Sequence, residues 1–245
     1  MKLSIILTAK RNPQHLFKSL MNINKLIRSD KDIIEIFCLL DSNEKELLNY
    51  VRNIPLSIKN FHIVEHNTLD IGEIKNLASK KATGDYILFV EEGILLSLNT
   101  IEAFKKGIND NKNGSKKNIF VPETKIFFGK ELYMEKNIST NDPKFSEVML
   151  LLTNPWGNVF LMSRKNFCKV QFPKVDFKNK LNPHILSFYC DCIGLGYKIL
   201  PMQETISFVR LDEEINLESN FILPSKKIFN EKAVRINIED NDKDP

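Results

Sequence analysis

A chain of 245 residues, 42% of them apolar, has material for one large core, yet no window holds 18 consecutive apolar residues, so a membrane-spanning helix is not expected. The net charge of +4 is mild and comes without a basic run interleaved with aromatics, which argues against nucleic acid and leaves an anionic small substrate or a membrane surface as partner. Cys38, Cys168, Cys190 and Cys192 show no CxxC spacing, so reduced thiols are expected rather than a zinc site or a disulfide framework. The amino-terminal LSIILTA run is too short, and too soon followed by Lys10 and Arg11, to be a secretory leader, and the expected location is cytoplasmic.

The first ninety residues alternate strand and helix patterns. Leu3 to Thr8 is an apolar run of strand length; Asn12 and Pro13 then supply an N-cap and a pre-set first helical residue, and Leu16, Leu20, Ile23 and Ile27 form a helical stripe. Ile33 to Leu40 predicts a second strand that stops at Asp41-Ser42-Asn43, followed by a helix over Glu44 to Val51 and a short strand over Phe61 to Val64. Asp70 with Glu73 three residues on starts a capped helix that runs to about residue 82, with Ile71, Ile74, Leu77 and Ala78 on one face. Gly84 is read as a left-handed stop, and DYILFV as a strand buried on both faces. Glu91 and Glu92 fall at its carboxyl end, where open α/β sheets hold their ligands. Repeated β-α units predict a right-handed, mostly parallel sheet.

The second half is less regular. A helix is predicted over Thr100 to Ile108, followed by the solvated loop DNKNGSKKN. Short apolar runs at Ile119 to Val121, Lys125 to Phe128, Val148 to Leu152 and Asn158 to Met162 predict strands that extend or flank the sheet. Asn182-Pro183 opens a helix that ends at Gly196, and Tyr197 to Met202 and Ile206 to Arg210 predict two more strands. The tail from Ile238 to Pro245 is too polar to pack.

The segments SIILTAKRNPQHLFKSL, IEIFCLLDSNEKE, GEIKNLASKKATGDYILFVEEG, WGNVFLMSRKNF and GLGYKIL stand in an order that resembles the family 2 glycosyltransferases, over roughly residues 1 to 210. The resemblance implies a GT-A-like, Rossmann-like α/β fold with helices flanking the sheet and a smaller mixed acceptor-side half. It divides the chain into a nucleotide-sugar-binding half over 1–98, an acceptor-side half over 99–215, and a C-terminal extension and polar tail over 216–245. It implies a nucleotide-sugar donor, a glycan, lipid-linked or protein acceptor, inverting transfer and a role in polysaccharide biosynthesis. Peripheral membrane contact and a divalent metal, Mg or Mn, are compatible with it. Thr8, Asp41 and Glu91-Glu92-Gly93 match the family's base, ribose and metal positions, but the chain has Gly93 where the family's Asp-x-Asp carries its second aspartate. The family's Arg-Asn pair becomes Lys75-Asn76, and Pro183-His184 stands where an acidic pair with the catalytic base is usual. A degenerate, non-catalytic module that binds a nucleotide sugar or glycan, or acts as an assembly partner, is the rival expectation.

These matches set the candidate residues. A nucleoside diphosphate must be met by cations or N–H groups, which points to Lys10, Arg11 and Lys75. Asp41 can accept from base or ribose, or cap the helix after it, and Glu92 is the better metal candidate of the acidic pair because Mg and Mn need few protein carboxylates. Trp156 is either an acceptor-sugar platform or a core or turn anchor, while His62 and His66 are read as structural or surface residues rather than catalytic ones. His184, in a first helical turn after Asn182 and Pro183, is the candidate general base, with a capping or packing role as its alternative; Asp191 lies two turns on, and Asp176 is the next carboxylate.

Overall fold

The computed structural model describes residues 1–9, 12–54, 56, 60–68, 70–111, 117–151, 153–174 and 184–211. The expectations for Lys10, Arg11, Asp176, Asn182-Pro183 and residues 216–245 therefore lie outside the described residues, as does most of the 110–118 loop. The described elements are β1 (Leu3–Thr8), α1 (Pro13–Ser29), β2 (Ile33–Asp41), α2 (Lys45–Arg52), β3 (Phe61–His66), α3 (Ile71–Lys81), β4 (Tyr86–Glu91), β5 (Ile94–Leu96), α4 (Thr100–Asp110), β6 (Asn118–Gly129), β7 (Tyr133–Lys136), β8 (Phe160–Ser163), α5 (Arg164–Val170), α6 (His184–Gly194) and β9 (Lys198–Leu211).

One sheet orders its strands β3-β2-β1-β4-β8-β6-β9-β5, with β7 added on β6. The first four are parallel, as expected, with Thr8 level with both Leu39 and Glu91, and Asp41 level with His66. The other half departs from the mostly parallel expectation: β8 is antiparallel to β4 and β6, and β5 to β9. Alternation along the buried strands feeds two cores. Leu3, Ile5 and Leu7 face α1, α2 and α4, while Ile6, Leu39 and Phe89 face α3, α5 and α6. On that second side Phe89, Phe160, Phe167, Phe172 and Phe188 form one aromatic cluster with ring centroids 4.6–5.7 Å apart in its nearest pairs.

The capping signals are realised. Asn12 accepts from the backbone N–H of Gln14 and His15 at the start of α1, and Asp70 from that of Glu73 at the start of α3. Gly84 is not left-handed; its reason is crowding, since a Cβ there would stand 2.7 Å from the Ser4 backbone nitrogen. Val148 to Leu152, expected as a strand, is instead a short 3₁₀ turn over Glu147–Leu151. Ser146 starts it by accepting from the Val148 and Met149 N–H groups, and of its apolar residues Leu150 is buried while Val148 is exposed. The runs 119–121 and 125–128 are one strand, as are 197–202 and 206–210, because the irregular residues between them stay paired. The register shifts at Pro122–Thr124, where Thr205 Oγ1 and Glu123 Oε2 accept the N–H groups of Glu123 and Glu204. Strands β5 and β7 and helix α5 were not foreseen.

Candidate functional site

Thr8, Asp41, His66 and Glu91 end β1, β2, β3 and β4, and their register puts all four side chains on the α3 side of the sheet. This is the carboxyl edge at which an open parallel sheet offers a crevice. Two acceptors here are buried without a hydrogen-bond partner, Thr8 Oγ1 and His66 Nε2. The His66 Nδ1 lies 3.2 Å from the Thr68 carbonyl, which can only accept, so Nδ1 carries a hydrogen and, in the neutral ring, Nε2 is the acceptor. Asp41 keeps one oxygen for the N–H and side-chain amide of Asn43, forming the turn into α2.

Beside this row lies a buried ionic cluster. Lys75, on the inner face of α3 and 1% exposed, donates to Glu91 Oε1 at 3.0 Å. The other Glu91 oxygen accepts from Asn158 Nδ2 at 2.8 Å. His184, the first residue of α6, brings Nε2 to 3.2 Å from Lys75 Nζ. An ammonium has donors and no acceptor, so His184 Nε2 accepts and its ring hydrogen belongs on Nδ1. The Phe172 ring lies 5.4 Å from the ammonium and 5.6 Å from the His184 ring. Asn76, next to Lys75, fixes that aromatic by pairing with both its N–H, at 2.8 Å, and its carbonyl, at 2.9 Å. Sequence reasoning singled out Lys75, Glu91 and His184 but missed Asn158 and Phe172. Asn158 entered the sequence reading only as the start of the expected strand Asn158 to Met162, and Phe172 not at all, because their contacts are with residues 67 and 96 positions away in the chain.

The sequence-derived candidates do not all converge. Glu92 turns away from Glu91: its Oε1 accepts the Asn12 backbone N–H at 2.9 Å, at the amino-terminal end of α1 on the opposite face. Trp156 is in the core, 1% exposed, with its indole N–H donating to the Ile138 carbonyl and Tyr189 packed edge-on at 5.0 Å. That burial is the geometry of an anchor rather than of a sugar platform. His62 is at the opposite end of the sheet from this edge, stacked on Phe37 at 4.7 Å.

Among the described residues the donor set at this edge does not suit a divalent metal. Each Glu91 oxygen already has a donor, the Glu92 carboxylate lies across the sheet, and Gly93, at φ +84°, contributes no side chain. A dication on Glu91 would also face the Lys75 ammonium within about 5 Å, a repulsion of several kcal/mol at an effective dielectric of about 20. Among the described residues no group of three or more His, Cys, Asp or Glu side chains is gathered to hold a metal.

No family model matches the chain, and no curated protein matches it in sequence. Solved structures do match in fold. TarS 1-349 from S. aureus in complex with UDP-GlcNAc aligns at TM-score 0.58 and 14% identity over 94% of this chain and 64% of that one. The mannosyltransferase PcManGT from Pyrobaculum calidifontis, in complex with GDP-Man and Mn2+, aligns at TM-score 0.59 and 11% identity over 87% of this chain and 58% of that one. GalNAc-T7 with UDP, GalNAc and Mn2+ aligns at TM-score 0.60 and 11% identity over 87% of this chain and 45% of that one. The chain thus spans less than two thirds of the length of each of the three. All three are glycosyltransferases, and what they share with this chain is the mixed α/β GT-A-like fold.

Proposed function

We propose that the chain is a glycosyltransferase of the family 2 type, which binds a nucleotide sugar at the carboxyl edge of β1 to β4. On this reading residues 1–98 form the donor half, and residues 99–215 receive a glycan, lipid-linked or protein acceptor in the cytoplasm or at a membrane surface. The observation that carries it is the row Thr8, Asp41, His66 and Glu91 on one face of four adjacent strand ends, with two buried acceptors lacking a partner. Burying a polar atom unpaired costs about 1–3 kcal/mol, and a nucleoside's hydroxyl and N–H groups are chemically suited to meet these acceptors. The UDP-GlcNAc and GDP-Man in the neighbours' structures support the same class of ligand.

Transfer forms a bond from the acceptor oxygen to the anomeric carbon while the bond to the diphosphate breaks, with the electron pair leaving on phosphate. The acceptor's hydroxyl proton needs a base. His184 is the candidate, but its Nε2 lone pair takes a hydrogen from Lys75, so it accepts a proton only once Lys75 turns to another acceptor. This occupied lone pair favours, as the second reading, a non-catalytic module that binds a nucleotide sugar. A thermal-shift panel of nucleoside diphosphates and their sugars tests the site, and hydrolysis or transfer of any stabilising donor separates the two readings. If no nucleotide or nucleotide sugar stabilises the protein at millimolar concentration, the donor-site reading is wrong.

A further inference from the structure

We infer that Lys75 is the built-in cation of this site, and that the site takes up a nucleoside diphosphate without a divalent metal. The inference rests on the donor-site reading above and adds which group of the chain meets the phosphate there. A carboxylate pair serves a metal when both members present free oxygens to one point in space. Here Glu91 and Glu92 are consecutive and diverge: Glu91 is held by Lys75 Nζ and Asn158 Nδ2 on the α3 side, and Glu92 by the Asn12 N–H on the α1 side. Gly93, two residues past Glu91, supplies no second carboxylate, and its φ of +84° disfavours any side chain.

The lysine is built in rather than incidental. It is 1% exposed, and three separate elements fix it: β4 through Glu91, the start of α6 through His184, and the segment after α5 through the Phe172 ring. Asn76, its neighbour in sequence, clamps that last segment with two hydrogen bonds. Buried charges persist when they are paired, and this one neutralises the acidic strand end that would otherwise repel a diphosphate. An ammonium has three hydrogens; Glu91 and His184 take two, and a phosphate oxygen is a stronger acceptor than the neutral imidazole it would replace.

The test uses the intact chain. Free Mn2+ is followed by its electron paramagnetic resonance signal during titration into the wild-type protein, alone and with UDP or GDP. Nucleotide affinity is measured by calorimetry in EDTA and in Mn2+. The expected result is no protein-dependent loss of the Mn2+ signal in the free protein, and nucleotide affinities in EDTA and Mn2+ that agree within about twofold. Lys75→Met is expected to lower nucleotide affinity by about tenfold or more, and Lys80→Met on the outer face of the same helix to leave it unchanged. The wild-type measurements stand by themselves if Lys75→Met fails to fold. Uptake of Mn2+ by the wild-type protein, or nucleotide binding that fails in EDTA, overturns the inference while upholding the donor site. Nucleotide binding in neither condition overturns the donor-site reading, and the inference with it.

Discussion

Lys75 shows at the scale of one residue what a buried charge demands. Its ammonium and the Glu91 carboxylate are 1% and 7% exposed along their side chains, so removing either partner leaves the other charged in a place with little water. Such a break costs about 3–5 kcal/mol. Lys75→Met and Glu91→Gln should each lower urea stability by about that amount, and the double variant by clearly less than their sum, because the second change removes the stranded charge. Additive losses would show that the pair is not coupled. Glu35 is a second case, at the opposite end of the sheet. Burial alone would raise its pKa, but donation from Ser4 Oγ and from the Thr83 N–H and hydroxyl outweighs burial and holds it below the ordinary value. A lowered folded pKa means that its stabilisation is full above the unfolded glutamate value of about 4.3 and is lost as pH falls through the folded one. The melting temperature of Glu35→Gln should therefore fall less steeply than wild type below about pH 4.5, and parallel curves would refute the assignment. Lys75 and Glu91 were legible in the sequence because each lies at a fixed place in a β-α unit; the bonds to them from Asn158 and His184 were not, since these two residues arrive from distant segments.

At the scale of elements, the sequence was most legible where a cap or a continuous apolar run marked an end. Asn12 and Asp70 start α1 and α3, and Tyr86 to Val90 is the buried strand that its composition demands. It was least legible where tertiary pairing overrides local signals. Pro122 falls inside β6 because the hydrogen-bonded bulge with β9 and the bond from Asn137 to its carbonyl tolerate it there. Helix α5 hid behind Ser163, whose side chain caps it by accepting the Asn166 N–H immediately after β8 ends. The Gly84 expectation was right about the residue and mistaken in its reason, and this gives a test. A Cβ at 2.7 Å from the Ser4 nitrogen and 3.0 Å from the Leu3 carbonyl carbon meets backbone, which cannot swing aside. Gly84→Ala should cost about 1–3 kcal/mol, roughly 2–10 °C in melting temperature, where a glycine required only for turn geometry would leave the neighbouring β1 unmoved. Amide exchange at Ser4 and Ile5 distinguishes the two, since displacement of β1 speeds exchange there.

The whole molecule divides its labour along one sheet. Its parallel half, β3-β2-β1-β4, gathers four chemistry-bearing side chains at one edge by register alone, while the antiparallel β8, which follows Asn158, pairs with β4. The α3, α5 and α6 layer then seals the underside with aromatic packing, which is why Lys75 and His184 can be held within hydrogen-bonding reach from different helices. A ligand that binds this edge contacts residues from all four parallel strands and stabilises the folded state by mass action. At a concentration one hundred times its dissociation constant the gain is about 2.7 kcal/mol, roughly 5–10 °C for a protein of this size. Asp41 offers the sharpest control of where that gain arises. Its Oδ1 serves the Asn43 turn, and on the donor-site reading its other oxygen accepts from a nucleoside hydroxyl or N–H. Asp41→Asn retains an acceptor for the turn but loses the charge, so unliganded stability should change by less than about 1 kcal/mol while the nucleotide-induced shift falls by at least half. Equal loss in both would make Asp41 a turn residue alone. An unchanged nucleotide shift would place the ligand away from the β2 end of the sheet.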